Sequence, residues 1–497
     1  VRGGDVRLAH AADIHLGHRQ YDLSQRESDV RLAFEHFLKK TREHDVTAIL
    51  IPGDLFDSRD VSPKTLKRAE SLLADVEVPV LVSPGNHDQS MSTRRELTWL
   101  QYLNDSGLVT LLSGTPRDEP AFVRTDLAEP RQGGGGFVDI ESDGETVRCF
   151  GVPYRGAYID TDLPKVADGI RAVEEREGPA DTTVLLAHFG VDDAVPDLGA
   201  TVKRAWLTPI EERVDYLALG HIHKQYETGT VGRNPGSLEA LDIQEGRWDE
   251  AHGYYVFDTE DGTAEHRLSH RRPYHTMSFD VSDYRTFEDL RVEFAAALDD
   301  ERPSVERTCE REIHCDGNGN RRAPVVNVRF VGTLLLDHGS FDVEALRDLA
   351  ADRLDAIHVQ PTNNTERKAI AELLGDVERD EAFDADGTVN TDVLQERVFT
   401  TIAGESRYSA ETEAVARTLD ELEGLVTNEG EGVSEVADYL GERRRELFPD
   451  GAAESGDEPA GADVETGDGA ETGETASDDA ASEGRTSQQT LDARGSE

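Results

Sequence analysis

Between residues 6 and 275, short apolar runs alternate with longer stretches whose apolar positions recur every three or four residues. Val6–Ala12, Ala48–Pro52, Val78–Ser83, Thr183–Ala187 and Tyr216–Leu219 read as buried strands. Gln25–His44 and Ser62–Asp75 carry the helical period, with Ser62 as a cap and Pro63 in the first turn. Alternation of this kind predicts an α/β sheet core. Residues 113–150 break the rhythm, and Gly133–Gly136 predicts a flexible loop in an excursion between edge strands.

A second pattern follows: strand His275–Val281, helix Thr286–Leu298, strand Val325–Val331, helix Val343–Leu354 and strand Ala356–Val359. That order predicts a small split α/β domain over residues 276–361. Residues 366–448 are charged, helix-rich and poor in strand signals. From Asp450 onward the chain has no aromatic residue and much Gly, Ala, Ser, Glu and Asp, a composition that predicts disorder. No internal repeat is evident.

Composition changes this picture in two ways. The 497 residues, 37% apolar, have room for two or three domains with cores of ordinary size. No apolar run approaches membrane-spanning length, and Val1–Asp13 is too polar and short for a signal peptide, so a cytoplasmic protein is expected. The three cysteines are too few for a disulfide framework; Cys309 and Cys315 flank His314, but their spacing fits no zinc pattern and free thiols are expected.

The net charge of −50 is the second change, with 44 Arg against 8 Lys. Residues 451–497 hold 13 acidic residues and two arginines, so most of the charge is spread over the folded part. Such self-repulsion opposes compaction at ordinary salt and is screened when the Debye length falls to about 3 Å at 1 M. The composition therefore implies a halophilic cytoplasm. It also removes the usual diagnostic of a nucleic-acid binder, because a basic face is not expected even if the substrate is DNA.

Five motifs sit just after five of the expected strands: Asp13-Ile-His15, Gly53-Asp54, Gly85-Asn86-His87-Asp88, Ala187-His188 and Gly220-His221-Ile222-His223. In open α/β sheets, sites gather at the carboxyl ends of strands. Asp13 and His15, like His221 and His223, are two apart and would project to one side of an extended segment. A lone histidine after a strand is ordinarily structural, and one Gly-Asn-His-Asp is ordinarily a turn. Five such motifs rich in Asp, Asn and His point instead to two metals sharing a bridging carboxylate, with manganese, iron or zinc suited better than calcium.

The order Asp-x-His, Gly-Asp, Gly-Asn-His-Asp, His, Gly-His-x-His resembles the calcineurin-like metallophosphoesterase superfamily. The resemblance implies a four-layer αββα core. It implies that Asp13, His15, Asp54 and His223 hold one metal, and that Asp54, Asn86, His188 and His221 hold the other. His87 would be the general acid or stabilise charge on the transferring phosphate, oriented by Asp88. The purple phosphatases place a tyrosine where this chain has Asp57, and the protein phosphatases continue differently through Ser58-Arg59 and end their motif in Glu rather than Asp88.

Ala12-Asp-Ile-His-Leu-Gly-His-Arg-Gln-Tyr21, Gly53-Asp-Leu-Phe-Asp-Ser-Arg59, Gly220-His-Ile-His-Lys-Gln-Tyr-Glu227 and Asn234-Pro-Gly-Ser-Leu-Glu239 are similar to the nuclease subunits of SbcCD-type and meiotic-recombination-eleven-type repair complexes. The resemblance implies a manganese-dependent 3′-to-5′ exonuclease and single-strand endonuclease, with two Mn2+ per subunit. It implies that the protein acts on DNA as a homodimer with an SMC-like coiled-coil ATPase subunit. It divides the chain into a nuclease domain (1–275), a DNA-capping domain (276–361), an ATPase-docking helical segment (362–449) and an acidic tail (450–497). Archaeal and eukaryotic members usually carry His where this chain has Asp57, which bears on the rate and the exo/endo balance.

Several readings stay open at this stage. Leu97, Leu100 and Leu103 fit a dimer stripe or a core-facing stripe equally. His18 and Arg19 are candidate DNA contacts or a solvated loop pair. Gln488-Gln489-Thr490-Leu491 faintly resembles a clamp-binding peptide but lacks its aromatic pair. The competing functions are a phosphodiesterase or phosphatase for small phosphates, which leaves the 276–448 extension unexplained, and a DNA-end tether that cuts little.

Overall fold

The computed structural model describes residues 6–89, 98–142, 144–195, 202–248, 250–316, 319–336, 340–367, 391–405, 411–427 and 433–447. Two six-stranded sheets lie face to face. In the first, β1 (Arg7–His10), β2 (Ala48–Pro52), β3 (Val80–Ser83) and β4 (Thr110–Leu111) run parallel. The antiparallel pair β11 (Gly253–Asp258) and β12 (Ala264–Leu268) extends that sheet from β1. The second sheet has the order β5 (Phe137–Ser142), β6 (Glu145–Gly151), β7 (Thr182–His188), β8 (Tyr216–Gly220), β10 (Gly232–Asn234) and β9 (Tyr226–Thr228).

The continuous apolar character of β2 follows from this arrangement. Successive side chains point to opposite faces. Ala48 and Leu50 pack between the sheets against Val184, Leu186 and Ala218. Ile49 and Ile51 face outward to Phe34 and Phe37 of α1 (Ser24–Glu43), Leu73 of α2 (Pro63–Ala74) and Leu103 of α3 (Trp99–Asp105). The second sheet is covered in the same way by α4 (Ile159–Glu177) and α5 (Thr208–Glu211), through Val166, Ile170 and Ile210. The result is the four-layer αββα core. Ser62 caps α2 as expected, its hydroxyl accepting from the Thr65 N–H at 3.1 Å.

One expectation is corrected here and one open reading is decided. Gly133–Gly136 is no loose loop. Gly135 donates to Leu111 O at 2.9 Å and accepts from Ser113 N at 2.6 Å, so it straps β4 to the start of β5. A Cβ at Gly135 would lie 2.6 Å from Thr125, and one at Gly136 2.8 Å from Phe122, so close packing demands these glycines. In α3, Leu100 and Leu103 are buried in the core, which decides for the core-facing stripe at those two positions. Leu97 lies outside the described residues.

The next unit holds a parallel three-stranded sheet, β13 (Tyr274–Asp280), β14 (Val325–Leu334) and β15 (His358–Arg367), crossed by α6 (Phe287–Cys309) and α7 (Val343–Leu354). Phe279, Phe294, Phe330 and Leu346 form its own core. The helix expected to stop at Leu298 runs to Cys309, because Val305 and Cys309 continue the buried face beyond Pro303. The last strand, expected to end at Val359, pairs with β14 as far as Arg367. Its later residues, Thr362 to Glu366, are polar, which suits an edge strand and hides it from an apolar pattern.

Residues from 378 onward form a separate unit with α8 (Thr391–Glu405), α9 (Thr412–Thr427) and α10 (Val433–Leu447). Ala403 and Ala416 are buried there, and Gln395 of α8 donates to Asp420 of α9 at 3.1 Å. The segment expected to be disordered, with Gln488–Leu491, lies outside the described residues. No helix among the described residues is long and apolar enough to cross a membrane. Cys149, Cys309 and Cys315 are free thiols, and His314 Nδ1 donates to Arg271 O at 3.2 Å rather than joining a metal cluster among the described residues.

Candidate metal centre

All five strand-end motifs meet at one edge of the paired sheets. β1, β2 and β3 deliver Asp13, His15, Asp54 and the Asn86–Asp88 loop from one sheet, while β7 and β8 deliver His188, His221 and His223 from the other. Asp13, His15, Asp54 and His188 are essentially inaccessible to solvent. His188 Nε2 is 3.2 Å from Asp54 Oδ2 and 4.0 Å from Asp13 Oδ1, and His15 Nε2 is 3.8 Å from Asp54 Oδ2. Asn86 Oδ1 stands 3.0 Å from His188 Nε2 and 3.2 Å from His221 Nδ1. The rings of His15 and His223 are 4.9 Å apart. Three overlapping triads have ligand atoms within 4.8 Å of one another: Asp13, His15 and His223; His15, Asp54 and His87; Asp13, Asp54 and His188.

The backbone that does this is not extended. Asp13, His15 and Asp54 have φ of 51°, 52° and 53°, and His221 has 94°, in the region L-residues seldom enter. The simple alternation expected for Asp13/His15 and His221/His223 is therefore replaced by left-handed turns, and strain of this kind concentrates at functional sites. Both carboxylate oxygens of Asp13 accept from the His221 N–H at 3.0 Å, which ties the two turns together across the sheets. Gly53 and Gly85 permit the close approach: a Cβ on the first would lie 2.1 Å from His188 Nδ1, and on the second 2.1 Å from Asp54 Oδ1.

Two of the candidate ligand imidazoles are turned by a partner on the far nitrogen. His188 Nδ1 donates to Pro52 O at 2.8 Å, a carbonyl that can only accept. His223 Nδ1 meets Glu245 at 2.6 Å. Nε2 of both is thereby directed into the cluster; His15 Nδ1 lies 3.3 Å from Asp57, and both nitrogens of His15 are buried with no hydrogen-bond partner. Carboxylate–imidazole–metal relays have this form. Glu245 is 22 residues beyond His223 and no local pattern marks it. Tyr154, whose ring is 5.4 Å from that of His221, also escaped sequence reasoning, although it ends the loop after β6 as the motifs end theirs.

Electrostatics follow the same geometry. Burial opposes charge on His188, yet Asp54 and Asp13 push it up to about 9. His223 is raised against burial to about 9 by Glu245. Burial lowers His15, and burial with His188 lowers His221 to about 4. Despite burial, His188 and His15 hold Asp54 well below the usual carboxylate range. Protons on two imidazoles balance two buried carboxylates, a role that a divalent cation would take over. Orphaned nitrogen, converging lone pairs and paired carboxylates all fit metal ions.

His87 is held from two sides: its N–H donates to Asp54 Oδ1 at 2.9 Å and its Nδ1 donates to Asp57 O at 2.5 Å. Asp88 does not orient the His87 ring as expected. Its carboxylate accepts from the peptides of Asp54, Gly85 and Phe56 at 2.8, 3.0 and 3.3 Å, stapling two motif loops together. Burial and Asp54 raise it to about 6. His18 is partly buried, and its nitrogens engage Asp57 at 2.9 Å and Leu241 O at 3.0 Å. Arg19 is exposed and donates to Asp22 O at 2.9 Å.

A site of this construction at the mouth of an αββα sandwich defines a class. Residues 6–225 match the calcineurin-like phosphoesterase family, and this part of the chain is a calcineurin-like phosphoesterase domain. More narrowly, the chain is similar to DNA double-strand break repair protein Mre11 of several archaea. It is 26% identical to that of Methanopyrus kandleri over 300 residues, covering 59% of this chain and 58% of the relative. It is 29% identical to that of Archaeoglobus fulgidus over 246 residues (48% and 52%) and 27% identical to that of Aeropyrum pernix over 284 residues (56% and 64%). The matched stretch thus spans between about half and two thirds of each relative.

Proposed function

We propose that this chain is a metal-dependent DNA nuclease of double-strand-break repair, acting with two Mn2+ per subunit as a 3′-to-5′ exonuclease and single-strand endonuclease. The convergence of Asp13, His15, Asp54, Asn86, His188, His221 and His223 carries the reading. Asp13, His15, Asp54 and His223 would hold one ion, and Asp54, Asn86, His188 and His221 the other. Similarity to Mre11 proteins supports DNA as the substrate. The same similarity supports a homodimer, an SMC-like ATPase partner, and the division into nuclease (1–275), DNA-capping (276–361), ATPase-docking (362–449) and tail (450–497) regions.

The bound ions supply charge neutralisation at the phosphate and activation of water at neutral pH. The chain's own residues do the rest. Pro52 O and Glu245 fix which nitrogen His188 and His223 present. His87, with Nδ1–H committed to Asp57 O, would act in its imidazolium form, giving the Nε2 proton to the departing sugar oxygen and keeping the Nδ1–H. Asp88 holds the Asp54 and Gly85 peptides in place, so the loops bearing Asp54 and His87 move as one body.

The test is degradation of end-labelled linear duplex DNA in molar KCl, with Mn2+ against Mg2+ and with and without the ATPase subunit. We expect cleavage with Mn2+ and a loss of about 10²–10⁴-fold in His87→Ala at unchanged metal stoichiometry. Cleavage of cyclic nucleotides with DNA left intact would replace this reading with a small-phosphate esterase. Equal DNA loss in native and His87→Ala protein would remove His87 from the chemistry.

A further inference from the structure

The His223 imidazole owes its orientation to Glu245, whereas His15 Nδ1 lies 3.3 Å from Asp57 without a hydrogen bond. Glu245 and His18, the partner of Asp57, both meet the backbone of Leu241. The Leu241 N–H donates to Glu245 Oε2 at 2.6 Å, and the Leu241 carbonyl accepts from His18 Nε2 at 3.0 Å, while His18 Nδ1 engages Asp57 at 2.9 Å. What fixes the Ala240–Leu241 peptide therefore fixes Glu245 and, through it, the His223 ring.

That peptide is anchored by a buried charged network. Arg26, on the first turn of α1, is wholly inaccessible to solvent. Its Nη2 donates to Ala240 O at 2.6 Å, to Glu239 Oε1 at 3.2 Å and to the Tyr274 hydroxyl at 2.9 Å. Its Nη1 donates to Asp29 at 2.7 Å and its Nε to Gln20 at 3.0 Å. The Tyr274 hydroxyl donates to Gln20 Oε1 at 2.7 Å and lies 3.2 Å from Ala240 O. Arg272 donates its N–H to Glu239 at 2.9 Å and its guanidinium to Asp29, and its Nη1 reaches Ala323 O at 2.5 Å. Tyr274 opens β13, and Ala323 lies two residues before β14, so the network spans the junction between the phosphoesterase sandwich and the three-stranded unit.

Buried ion pairs are poor sources of net stability, but they hold geometry firmly when every partner is satisfied. We infer that Arg26, Glu239 and Tyr274 are positioning residues for the metal centre, acting through the Ala240–Leu241 peptide on Glu245 and hence on His223. The inference rests on the metal-centre reading above and deepens it. The seating of the three-stranded unit on the sandwich is felt at the ligands through this one strand of bonds.

The experiment measures Mn2+ affinity and stoichiometry by calorimetry and the spin-coupled Mn2+ signal by electron paramagnetic resonance, in the full chain. Glu245→Gln keeps the shape but presents an amide N–H to Leu241, and should weaken Mn2+ binding at one of two sites by about 10–100-fold. Tyr274→Phe should weaken the same site several-fold, and the double variant should be no weaker than Glu245→Gln alone, because the two act along one path. Tyr216→Phe is the control: it removes another buried hydroxyl, bonded to His10 and outside the network, and should bind Mn2+ as the native chain does. Native affinity in Tyr274→Phe, or equal weakening in Tyr274→Phe and Tyr216→Phe, overturns the inference. A native chain that takes up no Mn2+ at all would overturn the metal-centre reading itself.

Discussion

Gly85→Ala isolates the role of close packing at the metal centre. Gly85 has no positive φ, so alanine brings no backbone strain, only a methyl group. That methyl would sit 2.1 Å from Asp54 Oδ1, 2.5 Å from Asp54 N and 2.7 Å from Asp54 Cγ. Real Cβ contacts begin near 3.4 Å, so the carboxylate and its peptide must retreat by roughly 1 Å. Overpacking of this kind costs about 1–3 kcal/mol, which a domain of ordinary stability survives. A metal site tolerates displacement of only about 0.2 Å in a ligand. Asp54 is the carboxylate that both ions would share, so the two sites should fail together. We expect a folded protein whose Tm falls by a few degrees, with Mn2+ binding lost at both sites and DNA cleavage reduced by about 10²-fold or more. Differential scanning calorimetry, Mn2+ titration and the duplex assay read the three quantities. Native Mn2+ affinity in a folded Gly85→Ala chain would refute the reasoning, since it would mean Asp54 can move without consequence.

Further predictions concern parts away from the ligands. Burial holds His10 neutral, at about 3, with Tyr216 and Leu219 O as partners at 2.9 and 3.0 Å. Its folded value lies below the unfolded 6.5, so the unfolded chain takes up a proton that the folded chain refuses. Stability from this group is complete above pH 6.5 and declines by about 1.4 kcal/mol per pH unit as pH falls toward 3. Denaturant titrations between pH 7 and 4.5 should therefore show a shallower slope for His10→Gln, by about one proton; identical slopes would rule it out. The acidic surface predicts a second effect. Tm should climb between 0.1 and 1 M KCl as the Debye length shrinks from about 10 to about 3 Å, and an uncharged osmolyte should not reproduce the rise at low salt. A Tm flat across that range would deny the halophilic reading of the −50 charge.

The parallel strands and their chemistry were legible because both leave short local signatures. Ala48–Pro52 is apolar at every position between two helical periods, and Gly-Asp follows it at once. What the sequence concealed depends on partners distant in the chain. Glu245 matters because it touches His223, and Leu241 because its peptide lies between Glu245 and His18; neither has a spacing to recognise. Gly133–Gly136 carries the composition of a mobile loop, and only Phe122 and Thr125 packed against it reveal its purpose. The end of β15 is polar because one side of an edge strand is open. The positive φ at Asp13, His15, Asp54 and His221 is imposed by the turn geometry and leaves no trace in residue type.

The connectivity of the first sheet has a consequence for how the protein comes into being. β1 pairs with β11, Arg7 meeting Asp258 across 251 residues, and Asp13 takes its hydrogen bonds from a peptide 208 residues on. At about 5–20 residues per second, the ribosome needs roughly 10–50 s to travel between those points. A nascent chain that has passed His87 but not Tyr216 carries Asp13, Asp54 and His87 yet lacks the strand bearing the last two histidines. The cluster of candidate ligands is thus incomplete until the ribosome has passed His223.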